Sequence, residues 1–164
     1  SLVEDERGYF GRIFCADEFA SRGLQNVWAQ ANTSCSRTKG TIRGLHFQYR
    51  PSKEAKLVRC VSGSIVDVVL DLREDSPTFG LHCKVMLDSI KQNAVYVPVG
   101  CAHGFQTLTD NVQLTYLHSS KFEKELDGGV NPMDPALNIS WPLAVSHISS
   151  KDLALPTLEG HGPL

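Results

Sequence analysis

The chain has 164 residues, 41% of them hydrophobic and 21% charged, with a formal net charge of −2. That length supports one well-filled core and is short for two, so residues 1–164 are read as a single domain of an ordinary soluble globule. The charge excludes bulk attraction to nucleic acid or anionic membrane, no apolar run is long enough to span a bilayer, and the N-terminus has no signal-peptide pattern.

Helix signals are sparse. "CADEFASRG" (15–23) predicts one short helix closed by Gly23. "GTIRGLHFQ" (40–48) reads as a strand, which puts Arg43, Leu45 and Phe47 on one face and Ile42, Gly44, His46 and Gln48 on the other. Neither face is purely apolar, which is unusual for a strand that only builds a core. "KLVRCVSGSIVDVVLDLR" predicts two Val- and Ile-rich strands with a turn at Ser62–Gly63. In the second strand Ile65, Asp67, Val69 and Asp71 share one face, and Val66, Val68, Leu70 and Leu72 the other.

"EDSPTFG" (74–80) is a turn cluster, followed by strand signals in "HCKVML", "NAVYVPVG", "GFQTLTD" and "VQLTYLHSS". Short strands separated by Gly, Pro, Asp and Ser predict an all-β antiparallel sandwich or barrel. "DGGVNPMDPALNISWP" (127–142) predicts an ordered surface excursion rather than a strand pair. "SKDLALP" (150–156) predicts a second short helix, with Ser149 or Ser150 as N-cap and Pro156 beyond its end. The five cysteines (Cys15, Cys35, Cys60, Cys83, Cys101) are odd in number and form no C-x-x-C pair. They read as reduced thiols of a cytoplasmic protein, and a metal site built from them is not expected.

Two polar constellations interrupt the strands. The first comprises Arg43, His46, Gln48, Lys56 and Arg59. The second, "VPVGCAHGF", contains Pro98, Gly100, His103 and Gly104. The P-x-G-x-x-H spacing resembles the second motif of the cupin superfamily, a jelly-roll barrel whose mouth holds ligands or metal. A metal cupin also supplies two histidines one residue apart and a nearby glutamate. Here Gln48 stands at the second position, and Glu54 is accompanied by Lys56 and Arg59, so no metal is expected. A lone histidine would be read as a hydrogen-bonded core residue. His46 is not alone, because cations inside a barrel need an anionic partner. Asp67, Asp71 and a ligand phosphate are the options.

"RGLHFQ", "KLVRCVSGSIVDVVLDLREDSPTFG", "YVPVGCAHGFQTLTD", "DPALNISWP" and "SSKD" together resemble the dTDP-4-dehydrorhamnose 3,5-epimerase family, in order, from "DERGYF" to Asp152. The resemblance implies a cupin-type jelly roll (double-stranded β-helix) with a few short helices, no cofactor, and a homodimer with strands crossing between subunits. It implies a nucleotide-linked 4-keto-6-deoxyhexose as substrate. The C4 ketone acidifies the protons at C3 and C5, and an enolate forms and is reprotonated on the other face.

By motif position His46 is the expected general base, since an imidazole titrates near neutral pH. Asp152 is its expected orienting partner, although from sequence alone it reads as a helix-start carboxylate. Lys56 is expected to neutralise the oxyanion and Tyr116 to donate the proton on the opposite face. His103 is expected in the same cavity, with Asp67 tethering Lys56 or another cation. Arg7, from the neighbouring subunit, and Arg43 are expected at the pyrophosphate, with Gln30 and Asn32 near the nucleotide and sugar.

Three departures stand out. Arg12 occupies a position where the family usually has a base-contacting glutamate. Lys121, beside Phe122, falls where an aromatic packs on the base. Both point away from thymidine and towards CDP- or GDP-linked sugars. The chain also begins at "SLVEDERG", so the family's usual first strand is expected to be absent and the dimer's edge pairing altered. Four alternatives remain open: an epimerase of C3 or C5 only, a 3,4-ketoisomerase, a metal-dependent cupin dioxygenase, and a non-catalytic sugar-binding barrel.

Overall fold

The computed structural model describes residues 2–160 and residue 164. An antiparallel hairpin opens the chain, β1 (Leu2–Asp5) against β2 (Gly8–Gly11). Helix α1 (Ala16–Ala20) follows, and Gly23 behind it takes a left-handed φ of +67°. The body is built from β3 (Gln30–Ser36), β4 (Ile42–Gln48), β5 (Lys56–Ser62), β6 (Ser64–Asp71), β7 (His82–Asp88), β8 (Ala94–Val97), β9 (Cys101–Thr107), β10 (Val112–His118) and β11 (Asp127–Gly129). Helix α2 (Ser150–Leu153) comes last.

These strands form two antiparallel sheets, ordered β3-β10-β5-β8 and β11-β4-β9-β6-β7. The Ser62–Gly63 turn therefore carries the chain from one sheet to the other instead of closing a hairpin. Between the sheets lies an apolar core. Val58, Cys60, Val97, Val112 and Leu114 come from the first sheet, and Ile65, Val69, Leu87, Cys101 and Phe105 from the second. The architecture is a jelly roll of the cupin type.

The five-stranded sheet is buried on its other face as well. Leu45, Phe47, Val68, Leu70, Leu72 and Ala102 pack there against Val130, Leu137, Ile139, Trp141 and Leu158. This double burial explains why "IVDVVLDL" is almost continuously apolar. Each fully buried Leu or Val contributes roughly 1.5–3 kcal/mol, so the segment after β10 anchors the sheet instead of merely crossing its surface. It also corrects the expectation of a strandless excursion. Asp127–Gly129 pairs with Gln48–His46 of β4, and Val130 exchanges two backbone hydrogen bonds with Leu45.

Strand β3 carries no sequence signal, because "QANTSCS" lacks an apolar alternation. It forms by pairing along its full length with β10, from Ser36↔Val112 to Gln30↔His118. Among the described residues no helix is long and apolar enough to cross a membrane.

Candidate active site

The expected alternation of β4 breaks at its centre. The register against β9 shifts between Arg43 and His46. Gly44 sits there at φ +117°, where a Cβ would lie 2.5 Å from Cα of Gly104 and 2.8 Å from the His103 carbonyl. Only glycine tolerates both the conformation and the contact. The shift corrects the face assignment. Arg43 lines the same cavity as His46, while Leu45 and Phe47 turn into the outer core.

That cavity, about 280 Å³, opens between the two sheets and is lined by Asn32, Ser34, Arg43, His46, Lys56, His103, Tyr116 and His118, among others. A larger groove of about 650 Å³ runs past Arg50, Arg73, Asp75 and Gly100 and holds none of these histidines.

Helix α2 delivers the partner of His46. Ser149 caps it, its Oγ accepting the N–H of Asp152 at 3.0 Å. The Asp152 carboxylate is thereby set against β4, with Oδ1 2.8 Å from Nε2 of His46 and Oδ2 accepting the Gly44 N–H at 3.1 Å. Burial opposes ionisation of Asp152, but the hydrogen bond and charge attraction of His46, with hydrogen bonds to Gly44 and Ser149, outweigh it and hold the carboxyl below its ordinary range. An ionised carboxylate only accepts, so Nε2 of His46 carries the proton and Nδ1 is left to take one.

Two further imidazole–carboxylate pairs face the cavity. Nε2 of His103 lies 2.7 Å from Oδ2 of Asp67, both side chains being buried. Nδ1 of His118 lies 2.8 Å from Oε1 of Glu54, whose Oε2 is 3.3 Å from Nζ of Lys56. Lys56 also donates to the His46 carbonyl at 3.2 Å. Burial works against ionisation of Glu54, yet His118 and Lys56 together keep its carboxyl below the ordinary range. Tyr116 Oη is 2.8 Å from Ser34 Oγ, and burial pushes its phenol up to about 12.

Sequence reasoning singled out His46, Asp152, Lys56, Tyr116, Arg43, His103 and Asn32. All of them line this cavity except Asp152, which stands behind His46. It missed Ser34 and His118 and read Glu54 only as a metal-ligand candidate. Alternation along "LTYLH" puts His118 on the Tyr116 face, and Glu54 two residues before Lys56 is the matching signal.

Several expectations are corrected. Asp71 does not serve the cation cluster. It binds Arg73 Nη2 at 2.7 Å, Ser76 and Thr78. Asp67 engages His103, while Lys56 has Glu54 as its ion-pair partner. Arg59, three residues from Lys56, emerges on the opposite face of β5, in a separate hollow with Ile13 and Leu57, and reaches Gln92. Gln48 does not line the His46 cavity, since its amide is taken by the backbone of Lys121 and Glu123.

The remaining binding candidates lie nearer the rim or outside it. Gln30 donates to Asn32 Oδ1 at 3.0 Å and accepts from the Phe122 N–H. Arg7 is exposed on the β1–β2 hairpin and paired with Asp5. Arg12 is exposed and reaches Glu18 at 3.5 Å. Among the described residues no group of three His, Cys, Asp or Glu side chains is placed to hold a metal ion.

Residues 1–160 match the family model described as dTDP-4-dehydrorhamnose 3,5-epimerase. A protein of that name from Mycobacterium tuberculosis is 44% identical over 159 residues, covering 94% of this chain and 78% of that protein. A dTDP-4-dehydrorhamnose 3-epimerase from Streptomyces niveus is 41% identical over 149 residues, covering 90% of this chain and 72% of that one. The crystal structure of a dTDP-4-dehydrorhamnose 3,5-epimerase from Bacillus anthracis, with TDP and PPi bound, superposes with a TM-score of 0.92 at 37% identity, covering 96% of this chain and 90% of that one.

Proposed function

We infer that this chain, which belongs to the dTDP-4-dehydrorhamnose 3,5-epimerase family, is an isomerase that inverts carbons flanking the C4 ketone of a dTDP-linked 4-keto-6-deoxyhexose. The observation that carries this reading is the convergence of His46–Asp152, Lys56 and Tyr116 on one cavity. Pure sugar binding has no use for a base and an acid together.

Nδ1 of His46 takes the proton from C3 or C5, with Asp152 steadying the imidazolium that results. The electron pair moves onto the C4 oxygen, where the Lys56 ammonium meets the developing charge. Tyr116, kept as a neutral phenol by burial, delivers a proton to the opposite face. C4 is a ketone before and after, so the step consumes no electron acceptor.

Arg43 is proposed to hold the pyrophosphate, with its Nε on Ser36 Oγ at 3.0 Å to orient the guanidinium. Arg7 would reach the site from a neighbouring subunit of a homodimer. The exposed Val3, Tyr9 and Phe10 of the β1–β2 hairpin support such pairing. Gln30 and Asn32 are assigned to the nucleotide and sugar. The scattered thiols fit a cytoplasmic setting.

The test is conversion of dTDP-4-keto-6-deoxyglucose followed by proton NMR, with competition by dTDP, CDP and GDP. Inversion at C3, C5 or both, with dTDP the strongest competitor, is expected. Tighter binding of CDP or GDP would transfer the reading to the nucleotide suggested by Arg12 and Lys121. No turnover by folded protein would remove it.

A further inference from the structure

Asp67 has no exposed surface. Its Oδ2 is 2.7 Å from Nε2 of His103, and its Oδ1 has no hydrogen-bond partner among the described residues. Along β6 it lies between Ile65 and Val69 on the inward face, with Phe105 of β9 and Val85 of β7 at its register positions. An ionised carboxylate there would leave a bare anionic oxygen against hydrocarbon, the costliest state for the group. A carboxylic acid leaves only a carbonyl oxygen unpaired. Besides His103 itself, the cation that opposes this is Lys56, whose ammonium is already held by Glu54 and the His46 carbonyl. Burial pushes the Asp67 carboxyl above its ordinary range, against weaker opposing effects of His103 and Lys56.

We propose that Asp67 is protonated, donates its O–H to Nε2 of His103, and so fixes His103 as a neutral imidazole whose Nδ1–H serves as a hydrogen-bond donor to the C4 oxygen of the substrate. Nδ1 has no protein partner among the described residues, and the ring lines the cavity beside Tyr116. A neutral imidazole is a competent electrophile in this position. No proton leaves His103 in the step; the N–H donates as charge builds on the oxygen and relaxes as it fades. The His46–Asp152 and His103–Asp67 pairs then hold their protons in opposite senses. Asp152 is ionised and makes His46 a base. Asp67 is not, and makes His103 a donor. The proposal rests on the epimerase reading for the identity of the oxygen, but not for the position of the proton.

The test is nitrogen-15 NMR of labelled, substrate-free protein at neutral pH, with the His103 signals assigned by their loss in His103→Gln. The expected spectrum has Nδ1 protonated and Nε2 unprotonated. Both nitrogens protonated, or the proton on Nε2 alone, would overturn the proposal whether or not any sugar is turned over. Kinetics give the second arm. Asp67→Ala is expected to lower kcat about a hundredfold, the usual loss for an oxyanion donor. Asp67→Asn, whose amide N–H can replace the carboxyl O–H, is expected to recover at least tenfold of that. If folded Asp67→Asn is no better than Asp67→Ala, Asp67 is not acting through the proton it gives His103.

Discussion

Nε2 of His46 and Oδ1 of Asp152 are 2.8 Å apart across 106 residues of sequence. The contact joins the bulged centre of β4 to the first turn of a four-residue helix. Each end is fixed by a local device: Gly44 at φ +117° on one side and the Ser149 cap on the other.

His46→Asn is therefore expected to lower kcat by about a thousandfold, within the range for loss of a general base. Asp152→Asn is expected to lower it by about a hundredfold or more, because an amide can donate to Nε2 and turn Nδ1 into the protonated nitrogen. KM should change little in either, and steady-state kinetics on folded variants checks both. A large rise in KM with kcat preserved would make the pair a binding element.

Tyr116→Phe separates the two halves of the reaction. His46 can still remove a proton and return it to the same face, so solvent exchange is expected to continue. Inversion should fall by about a hundredfold more than exchange. The phenol titrates only near 12, so the difference in tyrosinate absorbance between wild type and Tyr116→Phe is expected to appear there. A difference near pH 10, the ordinary range for tyrosine, would show that the ring is not desolvated.

Glu54 sits behind the cavity with one oxygen on His118 and the other on Lys56. Glu54→Ala leaves both groups without their carboxylate and is expected to destabilise the fold by about 3 kcal/mol. It should also lower kcat/KM about tenfold, since Lys56 is then free to turn from the oxyanion position. Urea unfolding and kinetics together test this. An unchanged kcat/KM would leave Lys56 positioned by the His46 carbonyl alone.

Asp71 binds the turn after β6 through Arg73, Ser76 and Thr78. Hydrogen bonds from these groups, led by Arg73, hold its carboxyl well below the ordinary range. A lowered folded-state pKa means that its stabilisation is present above the unfolded carboxyl range and is lost as pH falls towards the folded value. Asp71→Asn is expected to cost about 1–2 kcal/mol at neutral pH, discounted for the exposure of Arg73. The gap should narrow as pH drops below about 4. A gap that widens in acid would contradict the assignment.

The strands that bury apolar alternation on one face or both, β5 to β10, were legible in the sequence, as were the turn at Gly63 and a serine cap on α2, with the choice between Ser149 and Ser150 made only by the structure. Strand β3 was not, because its inward side chains, such as Asn32 and Ser34, face a cavity and it is held by backbone pairing to β10. The face assignment of Arg43 failed because strict alternation assumes an unbroken register, and Gly44 breaks it. Asp152 illustrates the limit most clearly. Composition and spacing read it as a helix-start carboxylate, and only the resemblance placed it with His46. Glu54 and His118 were within reach of alternation arguments, but their pairing spans 64 residues and is visible only once β5 and β10 lie side by side.

The measurement that tests the account most directly is solvent deuterium incorporation into dTDP-4-keto-6-deoxyglucose, wild type beside His46→Asn. Label is expected at C3, C5 or both with wild type, and about a thousandfold more slowly with His46→Asn in protein shown to be folded. Label from His46→Asn at the wild-type rate, or none from either protein, would contradict the assignment of His46 as the base.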